Sequence, residues 1–164
     1  MNIFYKLVTK IFIPINRFYK RQLLDYSLKK RRIYIRNSII HGDDFSKLLL
    51  GENIYLGDAF LDIHDKITIE NNVGFGHQVK ILTGSHDWRQ IGVNRVKVIT
   101  KPVHIKTGAW VASYSIILPG TVIGENSVIA AGSVVSGNIE PFTLVGGNPA
   151  RFIKHILPSN TPYL

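Results

Sequence analysis

Residues 99–135 read ITKPVHIKTGAWVASYSIILPGTVIGENSVIAAGSVV, and every sixth position from the first is aliphatic: Ile99, Ile105, Val111, Ile117, Ile123, Ile129 and Val135. A period of six is neither the two of a half-buried strand nor the 3.6 of a helix. It is the repeat of a solenoid in which six residues make one short strand and a turn, and three such units close a triangular coil of eighteen. Each beat residue then points inward and stacks on its counterpart one coil away, at the spacing of neighbouring strands, about 4.8 Å. Four positions past each beat the side chain is small (Ala109, Ser115, Thr121, Ser127, Ser133), which fits the narrow corners of a triangle. Gly120, Gly124 and Gly132 suit the turns, where a positive φ costs glycine little.

Towards the N-terminus the same beat passes through Ile63, Ile69, Phe75 and Ile81 and then stops. The next position is Asp87, beside His86 in TGSHDW (83–88), and the apolar beat returns only at Ile99. Before Ile63 the pattern is looser. Ile33 and Ile39 fit one phase and Leu50 and Leu56 another, which predicts irregular first coils with an inserted residue near 58–62. Beyond Val135, Pro141 is expected to end the regular coils, and Pro149, Pro158 and Pro162 argue against a long final helix. The fold class expected is all-β: a parallel β-helix over 33–140 with a loop at 86–98. A basic helical arm over 1–32 and a tail over 141–164 would cover its ends, as solenoids require.

The net charge of +9 suggests nucleic acid until it is located. Residues 1–36 hold ten Lys or Arg and one acid, Asp25, whereas residues 37–164 hold ten of each sign. The body is therefore neutral and offers no basic stripe, so no nucleic-acid partner is expected. In the arm, Phe4, Phe12, Phe18, Tyr19 and Leu23 alternate with the basic residues. Such an arm either packs on the body with its lysines in water or lies on an anionic membrane through residues 1–24. No uncharged apolar run reaches the length of about 18 residues that a spanning helix needs. The apolar start is broken by Lys6, Lys10 and Pro14 and lacks a small-residue cleavage site, so no signal peptide is expected. The absence of cysteine excludes disulfides and thiolate chemistry and suits a cytoplasmic location, at the inner membrane face if the arm binds lipid.

Three stretches resemble the hexapeptide-repeat acyltransferases of left-handed β-helix fold, most of all the galactoside, maltose and polysaccharide O-acetyltransferases. They are TGSHDW at 83–88, KPVHIKTGAWVASYSIILPGTVIGENSVIAAGSVV at 101–135 and VGGNPARFIKHI at 145–156. The resemblance implies an acetyl group moved from acetyl-CoA to a hydroxyl of a sugar or cell-surface polysaccharide precursor, by a homotrimer with each active site between two subunits. His86 matches the family's catalytic histidine. A sugar hydroxyl is a poor nucleophile, and an imidazole, which titrates near neutrality, suits removal of its proton during attack on a thioester. A histidine that only caps a turn is the alternative reading. Trp110 matches a family tryptophan beside the acyl-donor groove, although an outward Trp covered by a neighbouring subunit would look the same in sequence. Ser113, Ala131 and Ser136 match positions that bond the pantetheine arm, and Arg151 and Lys154 match basic positions near the nucleotide phosphates. Gly137 stands where the family often carries Lys, and Lys106 and Ala112 stand where glycine is common.

The remaining histidines read as surface or corner residues. A carbonic anhydrase on this fold uses two histidines five apart among its metal ligands, and His41, His64, His77, His86, His104 and His155 contain no such pair, so no metal is expected. His77 and Asp62 are placed to approach His86 from adjacent coils, but spacing does not decide whether either does. Two rivals stay open: N-acetylation of an amino sugar, for which His86 would serve equally well, and a non-catalytic β-helix module.

Overall fold

The computed structural model describes residues 31–87, 89–90 and 92–156. The arm, apart from residues 31 and 32, and the end of the tail lie outside that range. Within it the chain forms a three-sided parallel coil. Three sheets of seven, five and five strands make its sides. The first side stacks Leu56, Phe75, Val111, Ile129 and Val145; the second stacks Ile40, Leu61, Ile81, Ile117 and Val135; the third stacks Leu50, Ile69, Ile105, Ile123 and Ile139. Among the described residues no helix is long and apolar enough to cross a membrane.

The six-residue beat does what its period predicts. Ile105, Val111, Ile117, Ile123, Ile129 and Val135 are sealed in the core, as are Ile63, Ile69, Phe75 and Ile81. Burying one such side chain contributes about 1.5–3 kcal/mol, so the column is the main stabilising element. The small corner residues are buried too, and their hydroxyls are satisfied by main-chain carbonyls. Ser115 Oγ donates to Ala112 O (2.8 Å) and Ala130 O (3.1 Å), and Thr121 Oγ1 donates to Leu118 O (2.7 Å) and Val135 O (3.2 Å). A polar atom in a dry corner is tolerated because it bridges carbonyls of adjacent coils. After the first coil, the corner between the first and second sides carries Gly57, Gln78, Tyr114 and Gly132 in turn, whose φ values of 56°, 52°, 63° and 70° turn the chain there.

Ile99 is the exception: it keeps the beat and yet is 44% exposed. Residues 84–101 leave the coil as a two-stranded antiparallel ribbon, Gly84–His86 against Val98–Thr100, and Lys101 N–H closes it by donating to Thr83 O at 3.0 Å. The excursion is one full coil length, so counting in sixes passes through it without a slip.

The coil length also varies where the sequence looked loose. Ile40 is the rung partner of Leu61, Leu61 of Ile81 and, in the strict stretch, Ile117 of Val135. The first coil is therefore longer than the second, and both are longer than the regular coil of three sixes. The expected insertion near 58–62 is not where the extra residues lie: the column passes from Leu56 to Leu61 and then to Ile69, so the step across 58–60 is short and the excess falls between Leu61 and Ile69 and between Ile40 and Leu50, where turns are longest. Pro141 does not end the coil. The strand Thr143–Gly147 continues the first side by pairing with the Val128–Ile129 strand, and Ala150–His155 then folds back antiparallel upon it. The proline is accommodated because it sits in the corner, where its missing N–H interrupts no rung.

Candidate active site

His86 ends the outgoing strand of the ribbon, opposite Val98, and is exposed. Its imidazole has no hydrogen-bond partner among the described residues. The next residue is fully committed: Asp87 accepts from Arg89 through Nε (2.8 Å), Nη2 (3.1 Å) and the backbone N–H (3.1 Å), and from Gln90 Nε2 at 3.3 Å. The Arg89 side-chain and backbone bonds hold the Asp87 carboxyl down at about 2. Asp87 therefore shapes the turn beyond His86 and is not spare to orient it.

The base of the ribbon is clamped from below. Asp62, buried, accepts from Thr83 N–H (3.3 Å) and Gly84 N–H (3.0 Å) through Oδ2, and its Oδ1 faces the Nδ1 atoms of His41 and His64. Burial pushes this carboxyl up, but the bonds from His64, His41 and Gly84 outweigh it, and the net shift is downward. Asp62 thus holds the strand that carries His86 rather than His86 itself. A Cβ on Gly84 would meet Asp62 Oδ2 and the His64 ring at 3.2 Å. Side chains two apart on a strand share a face, so His86 projects on the side of the ribbon where His64 lies.

The proposed donor-side residues fall into two groups. Trp110 stands on the outer surface of the first side, 45% exposed, with its ring lying directly on Gly74. Up that surface the register runs from Trp110 to Val128, Leu144 and Lys154. Arg151 pairs with Gly146, and the register shifts between Leu144 and Val145, leaving Ile153 unopposed. Cross-strand partners share a face, as do Leu144 and Gly146, so Arg151 and Lys154 point the same way although they are three apart. Trp110 and both cations therefore line one outer surface, with Trp110 and Lys154 three rungs, roughly 14 Å, apart. Ser113 and Ala131 edge that surface at the first corner. Ser113 O accepts from Gly132 N–H (2.9 Å), and Ser113 Oγ accepts from His77 N–H (3.0 Å). Ser136 lies on the following corner, where it shares with Arg151 a cleft of about 480 Å³ floored by Ile139, Thr143 and Val145.

His77 does not turn to His86. It belongs to the Ser113 corner, with Nδ1 3.6 Å from Asp58 Oδ1. His104 Nε2 is engaged by Glu70 Oε1 at 2.6 Å. Sequence reasoning missed the His41–Asp62–His64 cluster. His41 and Asp62 meet only because the first coil exceeds the regular length, and the period of six contains no sign of that excess.

Residues 102–137 match the family model described as bacterial transferase hexapeptide (six repeats). A candidate acetyltransferase of Staphylococcus aureus is 33% identical over 148 residues, which cover 87% of this chain and 74% of that one. The chain belongs to the hexapeptide-repeat acyltransferase family. Solved structures of hexapeptide-repeat acetyltransferases share its coil. The maltose O-acetyltransferase of Clostridium difficile matches with a TM-score of 0.70 at 35% identity, over 76% of this chain and 67% of that one. A hexapeptide-repeat acetyltransferase of Vibrio cholerae, solved with acetyl coenzyme A, gives 0.69 at 25% identity, over 84% and 78%. Other curated relatives extend well beyond the match: it spans 47% of one from Schizosaccharomyces pombe and 55% of the galactoside O-acetyltransferase of Escherichia coli. The fold is the left-handed parallel β-helix of hexapeptide repeats.

Proposed function

We propose that this hexapeptide-repeat acyltransferase moves the acetyl group of acetyl-CoA to a hydroxyl of a sugar in a glycan or glycan precursor, with His86 as general base. One observation carries the reading. The ribbon lifts an imidazole out of the sealed coil and leaves its nitrogens without a partner among the described residues, while the neighbouring carboxylate is already saturated. A base needs that freedom, because its lone pair must reach the acceptor hydroxyl. A turn-capping histidine would instead show a backbone bond.

The donor lies, in this reading, on the outer surface of the first side. Its phosphates meet Arg151 and Lys154, its pantetheine arm follows Ser113 and Ala131, and Trp110 covers the acyl end, with Ser136 reached through the cleft shared with Arg151. His86 leaves the coil a corner away, so the site is completed when a second subunit brings its ribbon against that surface, in a homotrimer. The hydroxyl loses its proton to His86 as its oxygen attacks the thioester carbon, the CoA thiolate leaves, and the imidazolium supplies the proton that the thiolate takes up. Attack is direct, since the chain has no cysteine to carry an acyl group and no serine in an elbow motif. The acetyl coenzyme A bound to the Vibrio cholerae relative supports the donor, and the names of the maltose and galactoside enzymes support the acceptor class. The basic residues within 1–24 would either pack on the body with their charges in water or hold the enzyme peripherally on an anionic inner membrane surface, in the cytoplasm.

The test is thiol release from acetyl-CoA with maltose, a galactoside and a glucosamine acceptor offered in parallel, alongside light scattering. Acetyl transfer to a hydroxyl by a particle of three chains is expected. Transfer to the amine alone would replace O- by N-acetylation, and a monomer that still transfers acetyl would remove the shared site.

A further inference from the structure

His41, Asp62 and His64 form the one group of three ligand-type side chains whose donor atoms converge among the described residues, all lying within 4.8 Å of one another. His41 and Asp62 are rung partners on the second side, and His64 follows Asp62 by two residues as the chain turns the corner. The carboxylate is preset. It is 6% exposed, and its Oδ2 is taken by the N–H groups of Thr83 and Gly84, which leaves Oδ1 turned towards the two imidazoles. His41 Nδ1 is 3.3 Å from that oxygen, and His64 Nδ1 is in direct contact with it. The His41 ring is stacked on Phe60 at 6.2 Å, and the two imidazole centroids are 5.4 Å apart. Both rings are open to solvent on their other edge, 61% and 40% exposed, so an entry path exists.

We propose that this cluster is a binding site for a divalent transition-metal ion of the zinc type. Two imidazole nitrogens and one carboxylate oxygen are the donor set that zinc, cobalt and nickel take, whereas magnesium and calcium seek oxygen alone. A tetrahedral ion with bonds of about 2.1 Å needs its ligand atoms about 3.4 Å apart, close to the separation of His41 from Asp62, and the exposed His64 ring, now in direct contact with Oδ1, would draw back to join it. The remaining coordination goes to water. The amides on Oδ2 are the outer support that fixes a ligating carboxylate. Lys47 Nζ donates to His64 O at 2.7 Å, and Asp62 is the lone carboxylate of the cluster, so nitrogen ligation rather than accumulated negative charge defines the selectivity. Histidine spacing predicts no metal, but the winding of the coil joins ligands that lie far apart in the sequence. A bound ion would tie the first coil and the second to the base of the ribbon, because Asp62 holds both His41 and Gly84. This inference does not depend on the proposed acetyl transfer and is read without acetyl-CoA or acceptor.

The experiment uses untagged full-length protein, stripped with a chelator and dialysed, then titrated with zinc by calorimetry and with cobalt by visible absorption. One ion per chain is expected, with the intense visible bands of low-symmetry cobalt. His41→Ala and His64→Gln should each weaken zinc binding at least tenfold, and zinc should raise the Tm of wild type but not of the double variant. His64→Gln keeps an N–H donor for Asp62 while removing the ligand nitrogen, so its lost binding cannot be ascribed to a collapsed corner. His104→Ala, which breaks the Glu70 pair elsewhere on the coil, should leave binding unchanged. Absence of a saturable one-per-chain site, or a site that survives in the folded double variant, would overturn the proposal and leave the imidazoles as hydrogen-bond donors to Asp62.

Discussion

Gly76→Ala tests how tightly the donor-side corner is built. A Cβ at Gly76 would lie 2.4 Å from Ser113 N, 2.5 Å from Ser113 Oγ and 2.9 Å from Ser113 Cα. Two of those atoms are main chain, so no rotamer change relieves the clash. Carbon and nitrogen in contact need about 3.5 Å, so the two coils must separate locally by about 1 Å. Three bonds cross this gap: Gly76 N–H to Val111 O (2.8 Å), Tyr114 N–H to His77 O (2.8 Å) and His77 N–H to Ser113 Oγ (3.0 Å). Stretched by that amount, all three pass out of hydrogen-bonding range. At about 0.5–1.5 kcal/mol each, with part of the strain relaxed, the loss comes to about 2–4 kcal/mol. For a chain of this length that lowers Tm by about 5–15 °C, measured by calorimetry at fixed protein concentration. Acetyl-CoA affinity should fall with it, because Ser113 moves. Gly132→Ala, on the same corner with φ of 70° and open space around it, carries only left-handed strain, about 1–2 kcal/mol. A Gly76→Ala protein that melts within a degree of wild type and binds acetyl-CoA normally would refute the close-packed corner and the role given to Ser113.

His86→Ala should lower turnover by about 10² to 10⁴, the usual worth of a general base, while Tm and the mass of the assembly stay unchanged, since the ring lost is exposed and has no bond among the described residues. Its pH–rate profile should lack the acid limb that a general base would give the wild type; near-wild-type turnover would reduce His86 to a turn residue. Arg151→Ala should raise KM for acetyl-CoA more than it lowers kcat, because a phosphate contact is made equally in ground and transition states. An unaltered KM in both Arg151→Ala and Lys154→Ala would show that the tail strand does not meet the nucleotide. Asp87→Asn should lower Tm at neutral pH. The Asp87 carboxyl is depressed on folding, so its contribution is present above the ordinary aspartate value of 3.8 and is lost as pH falls towards about 2. The Tm gap between wild type and variant should therefore be constant from pH 7 to 5 and narrow below 4; a gap that widens on acidification would contradict the Arg89 pairing.

The sealed column and its hydroxyl-bearing corners were legible because the regular coil forces the same side-chain choice at every sixth position. Trp110 was legible as an outward residue for the same reason. Ile99 shows the limit of periodicity: a count registers position, not surroundings, and an excursion one coil long leaves the count intact. Pro141 reads as a strand breaker, yet it falls on a corner, where no strand is there to break. Arg151 and Lys154 stand out through the resemblance, but their common face depends on the unopposed Ile153, and a register shift has no sequence period. The Asp62 cluster was invisible because the first two coils obey no fixed count, so contacts between them appear only once the chain is wound.

The ribbon at 84–101 enters and leaves the coil at adjacent points, with Gly84 opposite Thr100 and Lys101 bonded to Thr83. Cutting it out in thought and joining Thr83 to Pro102 yields an unbroken beat from Ile63 through Ile81 and Ile105 to Val135. The scaffold and the chemistry are therefore separable parts of one chain: the coil neither needs the ribbon nor notices its length. Such a cassette can be lengthened, shortened or exchanged without disturbing a single rung, which frees the loop that carries His86 to diverge while the wall that carries Trp110 stays fixed.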